Sequence, residues 1–334
     1  MKSQDRELVE SFCFKYGLDR LFVQGAGGNV SWKDEDTLWV KASGTQLSDA
    51  KDLDIFVPIF LNKLLENLKK NDFESKPIIK NNSKAKPSIE IFIHALMPQK
   101  YVVHLHAVEV LASLVQTHFL RRYSKELNKS FNWKFIKYVK PGIDLALSIK
   151  EVLKLDVKIN ILFLQNHGIV IGAESMQEVE DLLKKINTIF QVRPKKFKSF
   201  SLPISKISSY KPIMSEEIHN LAIQTKLFNN LSKNWAIYPD HVVFLGPKPF
   251  LFSSWQSLNN FLKNNNPPNL VFIQGHGVFA NSFFTTAQEE QLYCFFDVLV
   301  RQNDAYKVNT LTKKQISELI NWDAERYRIN LSKK

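Results

Sequence analysis

The pattern of apolar and polar positions predicts helices over residues 5–17, 57–70 and 107–117, and an amphipathic helix over residues 178–190. Residues 88–96 read as a further helix, with Glu90 in its first turn. Between these stretches lie short runs rich in β-branched and aromatic residues: Val30-Ser31-Trp32, Leu38-Trp39-Val40-Lys41, residues 101–106, residues 159–164 and Ile169-Val170-Ile171. These are predicted strands. Turn-forming residues 24–29 precede the first strand and Ser43-Gly44-Thr45 follows the second, so pairing of the two strands would bring both glycine-bearing turns together. The mixture of helices and strands places the chain in the α/β class rather than among helical bundles.

Residues 193–212 break this pattern. They are basic, rich in serine and interrupted by Pro194, Pro203 and Pro212, as expected of a connection between packed units. Beyond them the pattern partly returns. Residues 162–170, which contain Asn166-His167-Gly168, are echoed by residues 271–279 with Gly275-His276-Gly277, and an acidic helix follows each. The expected organisation is a first unit over residues 1–192, a linker over 193–212 and a degenerate repeat of the first unit over 213–334. The repeat has no His-x-His strand, and its nearest counterpart is Tyr238-Pro239-Asp240-His241. Thr312 with Gln315 three positions later predicts a capping box at the start of a C-terminal helix.

Length and composition add limits. A chain of 334 residues, 44% hydrophobic and 23% charged, can bury a large core and lies near the upper size for one domain. Residues 1–10 are charged and lack the apolar stretch of a secretory signal, and no run is long enough to be a transmembrane helix, so neither membrane association nor export is expected. Cys13 and Cys294 are far apart and form no metal-binding knuckle, which fits a reducing cytoplasm. The formal charge of +12 raises the question of nucleic acid. The basic residues are scattered, however, their densest group lies in the linker, and no recognition motif accompanies them, so no nucleic-acid partner is expected.

The candidate chemistry lies at the strand ends. His104 and His106 are two residues apart on one strand, so their imidazoles share a face while Leu105 points to the other. Alone, such a pair fits packed histidines as well as metal ligands. His167, in the sharp Asn166-His167-Gly168 turn, offers a third imidazole and favours a metal site. Three neutral imidazoles suit Zn2+, with manganese, cobalt or iron as other divalent occupants. Read alone, Glu90 would only complement a helix dipole. His94, four residues later, would share its side of the helix.

The ordered set Gly27-Gly28-Asn29-Val30-Ser31, Ser43-Gly44-Thr45, Pro87-Ser88-Ile89-Glu90, His94, His104-Leu105-His106, Pro141-Gly142 and Asn166-His167-Gly168 resembles the class II aldolase and adducin family. The second half, with Pro239-Asp240-His241, Gly275-His276-Gly277 and residues 322–328, is similar to the aldolase portion of bifunctional aldolase/short-chain dehydrogenase proteins, including rhamnulose-phosphate aldolase-like ones. No dinucleotide-binding GxGxxG is present, so no dehydrogenase is expected in this chain.

The resemblance implies a three-layer α/β/α sandwich around a mostly antiparallel sheet, with a degenerate second repeat. It implies zinc on His104, His106 and His167, and Glu90 as the acid that exchanges protons with substrate. Asn29, Ser43, Gly44 and Ser88 match positions that hold a substrate phosphate. Ile89 stands where phosphate-binding members carry a second serine, which leaves an unphosphorylated substrate open. The implied activity is cleavage or formation of a carbon–carbon bond in a small sugar or sugar-phosphate ketose through a zinc-stabilised enediolate. A decarboxylase or epimerase of the same family, or a non-catalytic adducin-like scaffold, are the alternatives. A homo-oligomer is implied, commonly a ring tetramer, although a fused repeat could cover the surface a neighbour would occupy. Asp240, His241 and His276 are expected to be packing remnants of the repeat. Tyr138 and Tyr210 are further acids that nothing in the sequence selects.

Overall fold

The computed structural model describes residues 3–81, 83–198, 201–303 and 305–326. In the first half, β1 (Asn29–Asp34), β2 (Thr37–Lys41), β3 (Phe56–Phe60), β4 (Tyr101–Leu105), β5 (Trp133–Ile136), β6 (Ile161–Leu164) and β7 (Gly168–Ala173) form one seven-stranded sheet in the order β3-β2-β1-β4-β7-β6-β5. Every pairing is antiparallel except that of β5 with β6. Alternate residues feed two helical layers. Val103, Leu105, Phe163, Ile169 and Ile171 pack against the helices Gln4–Gly17, Phe119–Ser130 and Met176–Phe190. Val102, Leu162, Leu164 and Val170 face the helices Ile91–Leu96 and Ile143–Leu155, while Leu38, Val40, Val57 and Ile59 cover the helix Leu61–Lys69. The result is the expected three-layer sandwich, buried on both faces of its central strands.

Two local expectations need correction. Residues 57–70 are not one helix: Phe56–Phe60 is strand β3, and the helix begins only at Leu61. Pro58 cannot donate within a helix, and the aromatic and β-branched residues around it pack better on a pleated surface. The helix predicted over 88–96 begins at Ile91, with Glu90 at its cap position rather than in its first turn.

In the second half, β8 (Tyr210–Pro212), β9 (Leu251–Phe252), β10 (Leu270–Ile273) and β11 (Gly277–Asn281) form a four-stranded sheet in the order β8-β11-β10-β9. It reproduces the β4-β7-β6-β5 portion of the first sheet pair by pair: antiparallel, antiparallel, then parallel. The turns match residue for residue, with Leu164 opposite Gly168 in one and Ile273 opposite Gly277 in the other. Gly275, at φ +71°, takes the left-handed place of Asn166 at φ +56°.

This register corrects the expected counterpart of the His-x-His strand. Pro212 pairs with Phe279 as His104 pairs with Val170, so β8, at the end of the segment read as linker, holds that place. Residues 238–241 belong instead to the start of the helix Pro239–Leu245. The sequence pattern missed β8 because three residues are too few to display an alternation.

The helix Val108–Leu114 joins the halves. Val110 and Leu114 enter the first core, while Val108, Leu111 and Ala112 enter a second core with Leu292, Phe295 and Leu299 of the helix Thr286–Val300. Such an all-round apolar helix is stable only when covered on both sides. Polar ties reinforce the contact: Arg301 donates to Glu109 at 2.9 Å and Gln302 to the Ala112 carbonyl at 3.0 Å. Among the described residues, no helix is long and apolar enough to cross a membrane.

Candidate metal centre and its pocket

His104 projects from β4 on the Val102 side of the sheet and is fully buried. Its Nδ1 lies 3.0 Å from the Ile169 carbonyl. A carbonyl only accepts, so Nδ1 carries the proton and Nε2 presents its lone pair. That Nε2 is 3.1 Å from Nε2 of His106, which follows the strand.

His167 arrives from the β6–β7 turn, where Asn166 adopts φ +56°. The next residue must be small: a Cβ on Gly168 would stand 2.3 Å from the Leu105 carbonyl, so only glycine lets this turn approach β4. Burial pushes the His167 imidazole down to about 3, leaving it neutral and able to ligate at physiological pH.

The ligating atoms of His104, His106 and His167 all lie within 4.8 Å of one another. Nitrogens on a tetrahedral zinc with bonds of about 2.05 Å stand roughly 3.3 Å apart, close to the His104–His106 separation. Two buried nitrogens facing each other at 3.1 Å repel unless a proton or a cation lies between them. The donor set therefore fits a zinc-like ion.

Glu90 closes the remaining side. Its Oε2 accepts from Asn29 Nδ2 at 2.8 Å and lies 3.5 Å from His104 Nε2. Its Oε1 is 3.5 Å from His167 Nε2 and, though buried, has no hydrogen-bond partner among the described residues. Asn29 stands opposite His104 in the β1–β4 register, which fixes the acid beside the imidazoles. The Ser88 hydroxyl accepts from the Glu90 N–H at 3.2 Å and so shapes the turn that presents the carboxylate. His94 turns elsewhere: its Nδ1 meets Ser31 Oγ at 2.7 Å.

A pocket opens over this cluster, lined by Gly27, Asn29, Ser43, Gly44, Ser88 and Ile89, with Glu90, His106 and His167 at its floor. All four residues expected to bind substrate thus line one cavity. Sequence reading missed three other charged residues in its wall, Lys41, Asp240 and Glu325. Lys41 is buried, and its ammonium donates to the carbonyls of Ala26 at 3.3 Å and Thr45 at 2.5 Å. It thereby pins the two glycine-bearing turns together, and the clue was a lysine closing the apolar run Leu38-Trp39-Val40. Asp240 is buried at the start of the helix Pro239–Leu245, and its Oδ2 is 3.4 Å from His106 Nδ1.

The sequence model of the Class II Aldolase and Adducin N-terminal domain matches residues 12–193, more than half of the chain. The chain belongs to this family. An L-fuculose phosphate aldolase of Methanocaldococcus jannaschii is 28% identical over 179 residues, covering 50% of this chain and 82% of that protein. The uncharacterized oxidoreductase YuxG of Bacillus subtilis is 25% identical over 177 residues, or 48% of this chain, and the match spans only 25% of YuxG. Among solved structures, the N-terminal class II aldolase domain of a conserved protein from Thermoplasma acidophilum is 26% identical, covers 54% of this chain and 89% of its own, and superposes with a TM-score of 0.44.

Three other ionisable groups of this aldolase/adducin-family chain, Tyr210, Tyr138 and His276, do not line this pocket. Tyr210 donates to the Pro268 carbonyl at 2.8 Å within the second half. Burial, reinforced by Glu318 and Glu325, raises the Tyr138 phenol above its usual range, which disfavours it as a base. His276 is exposed and meets the Gln274 carbonyl at 2.9 Å.

His241 is fully buried against Trp235 and Phe295, with ring centroids 4.4 Å away in each case, and neither ring nitrogen has a partner among the described residues. Burial pushes its imidazole down to about 3 from 6.5. The unfolded chain then takes up a proton before the folded one, so this residue costs stability as the pH falls from 6.5 towards 3. The penalty grows by about 1.4 kcal/mol per pH unit within that window. His241→Phe is expected to melt at a higher temperature than wild type, with a difference that widens on acidification from pH 7 to 5. Parallel pH profiles of the two proteins would refute this.

Proposed function

We propose that this chain is a metal-dependent aldolase that cleaves or forms a carbon–carbon bond in a small sugar or sugar-phosphate ketose. The observation that carries the reading is the convergence of three buried imidazoles on one side of Glu90, whose Oε1 lacks a partner. His104, His106 and His167 would hold the divalent ion, with zinc the best match to three neutral nitrogens. When bound, such an ion supplies Lewis acidity towards carbonyl and hydroxyl oxygens.

The chain's own residues do the rest. Asn29 anchors Glu90 through Oε2, so Oε1 is the oxygen that gives a proton to the substrate carbon after cleavage and removes it in the synthetic direction. Ser43, Gly44 and Ser88 form the wall that receives the polar end of the substrate. Backbone N–H groups and small hydroxyls in such turns suit an anion such as phosphate, consistent with the sugar-phosphate activity in the archaeal relative's name. Residues 1–192 are read as the catalytic unit, 193–212 as the connection leading into β8, and 213–334 as the degenerate repeat.

The half-reaction offers a test that does not require the aldehyde partner to be known. The zinc-loaded chain, incubated in D2O with dihydroxyacetone phosphate or dihydroxyacetone, is expected to place deuterium on the carbon that Glu90 serves, and cleavage of the matching ketose should follow. A chain that holds its metal yet exchanges neither compound, and cleaves no ketose or ketose phosphate in a panel, would sink the aldolase reading.

A further inference from the structure

We infer that Asp240, contributed by the second half, is a positioning residue for the metal ligand His106. The inference rests on the reading of the three histidines as a metal centre. A ligating imidazole binds through one nitrogen and is oriented by what its other nitrogen touches. For His104 that partner is the Ile169 carbonyl, at 3.0 Å from Nδ1. For His106, which lies beyond the end of β4, it is Asp240 Oδ2, at 3.4 Å from Nδ1. The carboxylate lies beside Nδ1, and the other ring nitrogen, Nε2, faces His104 Nε2 at 3.1 Å. The carboxylate also adds negative charge behind the ring, which makes the ligating nitrogen a better donor.

The placement of Asp240 is specified from both sides. Asn166, next to the ligand His167, donates from Nδ2 to the Ile237 carbonyl at 2.8 Å and to the Asn309 carbonyl at 2.6 Å. The turn that carries His167 and the segment that carries Asp240 are therefore fixed to each other. Tyr238 and His241, on either side of the Pro239-Asp240 pair, are buried in the second core and leave the helix start little freedom. The second copy, which has Pro212 where the first has His104, thus supplies an orienting group to the first copy's site.

The test is zinc affinity of the full-length protein, measured by competition with a chromogenic chelator for wild type, Asp240→Asn and Asp240→Ala. Wild type is expected to bind one zinc per chain. Affinity should fall roughly 10- to 100-fold in Asp240→Ala, with a smaller loss in Asp240→Asn, whose amide oxygen still accepts from Nδ1–H. The melting points of the metal-free proteins should stay together, and the visible absorption of the cobalt-loaded forms should shift with the variant; a role confined to folding would move the first and not the second. Affinities equal to wild type in Asp240→Ala, or in Asp240→Asn should the alanine variant not fold, would overturn the inference while the histidine site stood. A wild type that takes up no zinc would instead bring down the metal-centre reading and this inference with it.

Discussion

Replacing His104 with alanine is expected to strip the protein of its metal and its activity together. His104 is the most constrained of the three imidazoles: it is fully buried, paired with Val170 across β7 and Asn29 across β1, and fixed in tautomer by the Ile169 carbonyl. Water cannot readily replace it at that depth. Loss of an orienting partner alone typically weakens a metal site by about 10- to 100-fold, so loss of the ligand itself should exceed about 100-fold. Elemental analysis after dialysis should find about one zinc per wild-type chain and almost none in His104→Ala. Bound ion also stabilises the fold it binds, by about 4 kcal/mol at a thousandfold excess over Kd. Chelation should therefore lower the melting temperature of wild type and leave that of the variant unmoved. Full metal content in His104→Ala would move the centre elsewhere.

Glu90→Gln should give the complementary result, with metal retained and turnover lost. The amide keeps the size of the side chain and can still meet Asn29, but it has no proton to exchange at a carbon. General acid–base groups commonly contribute about 10²- to 10⁴-fold, and a fall of that order is expected in kcat with little change in KM. Steady-state kinetics alongside metal analysis would decide. A variant that lost its zinc, or one that turned over normally, would remove Glu90 from the proposed role.

The two variants probe the part of the site that was most legible in the sequence. Two-residue spacing on an apolar strand places His104 and His106 on one side, and the Asn166-His167-Gly168 turn announces a ring presented at a strand end. The glycine-bearing turns could be foreseen as neighbours, because β1 and β2 pair through the Trp32–Trp39 stack. Asp240 was not legible in the same way. Its contact with His106 spans the two halves, and no local period encodes a contact between residues so distant in the chain. Strand β3 was misread because an apolar run of five residues fits either period, and the start of the Ile91–Leu96 helix was misplaced by the turn that Ser88 builds.

Among the described residues, the second sheet repeats β4 to β7 without a counterpart of the β1–β3 strands, so β8 has no strand neighbour where β4 has β1. Such a rim ordinarily invites another chain to add a strand. Ile213 donates inward to Val278, so by alternation Tyr210 and Pro212 face outward along the rim. The Tyr210 N–H is already bonded to Ile207, and Pro212 has none to give. The outer rim of β8 therefore offers no backbone donor to an incoming strand, and Pro212, in the place that His104 holds in the first sheet, is one of the two reasons.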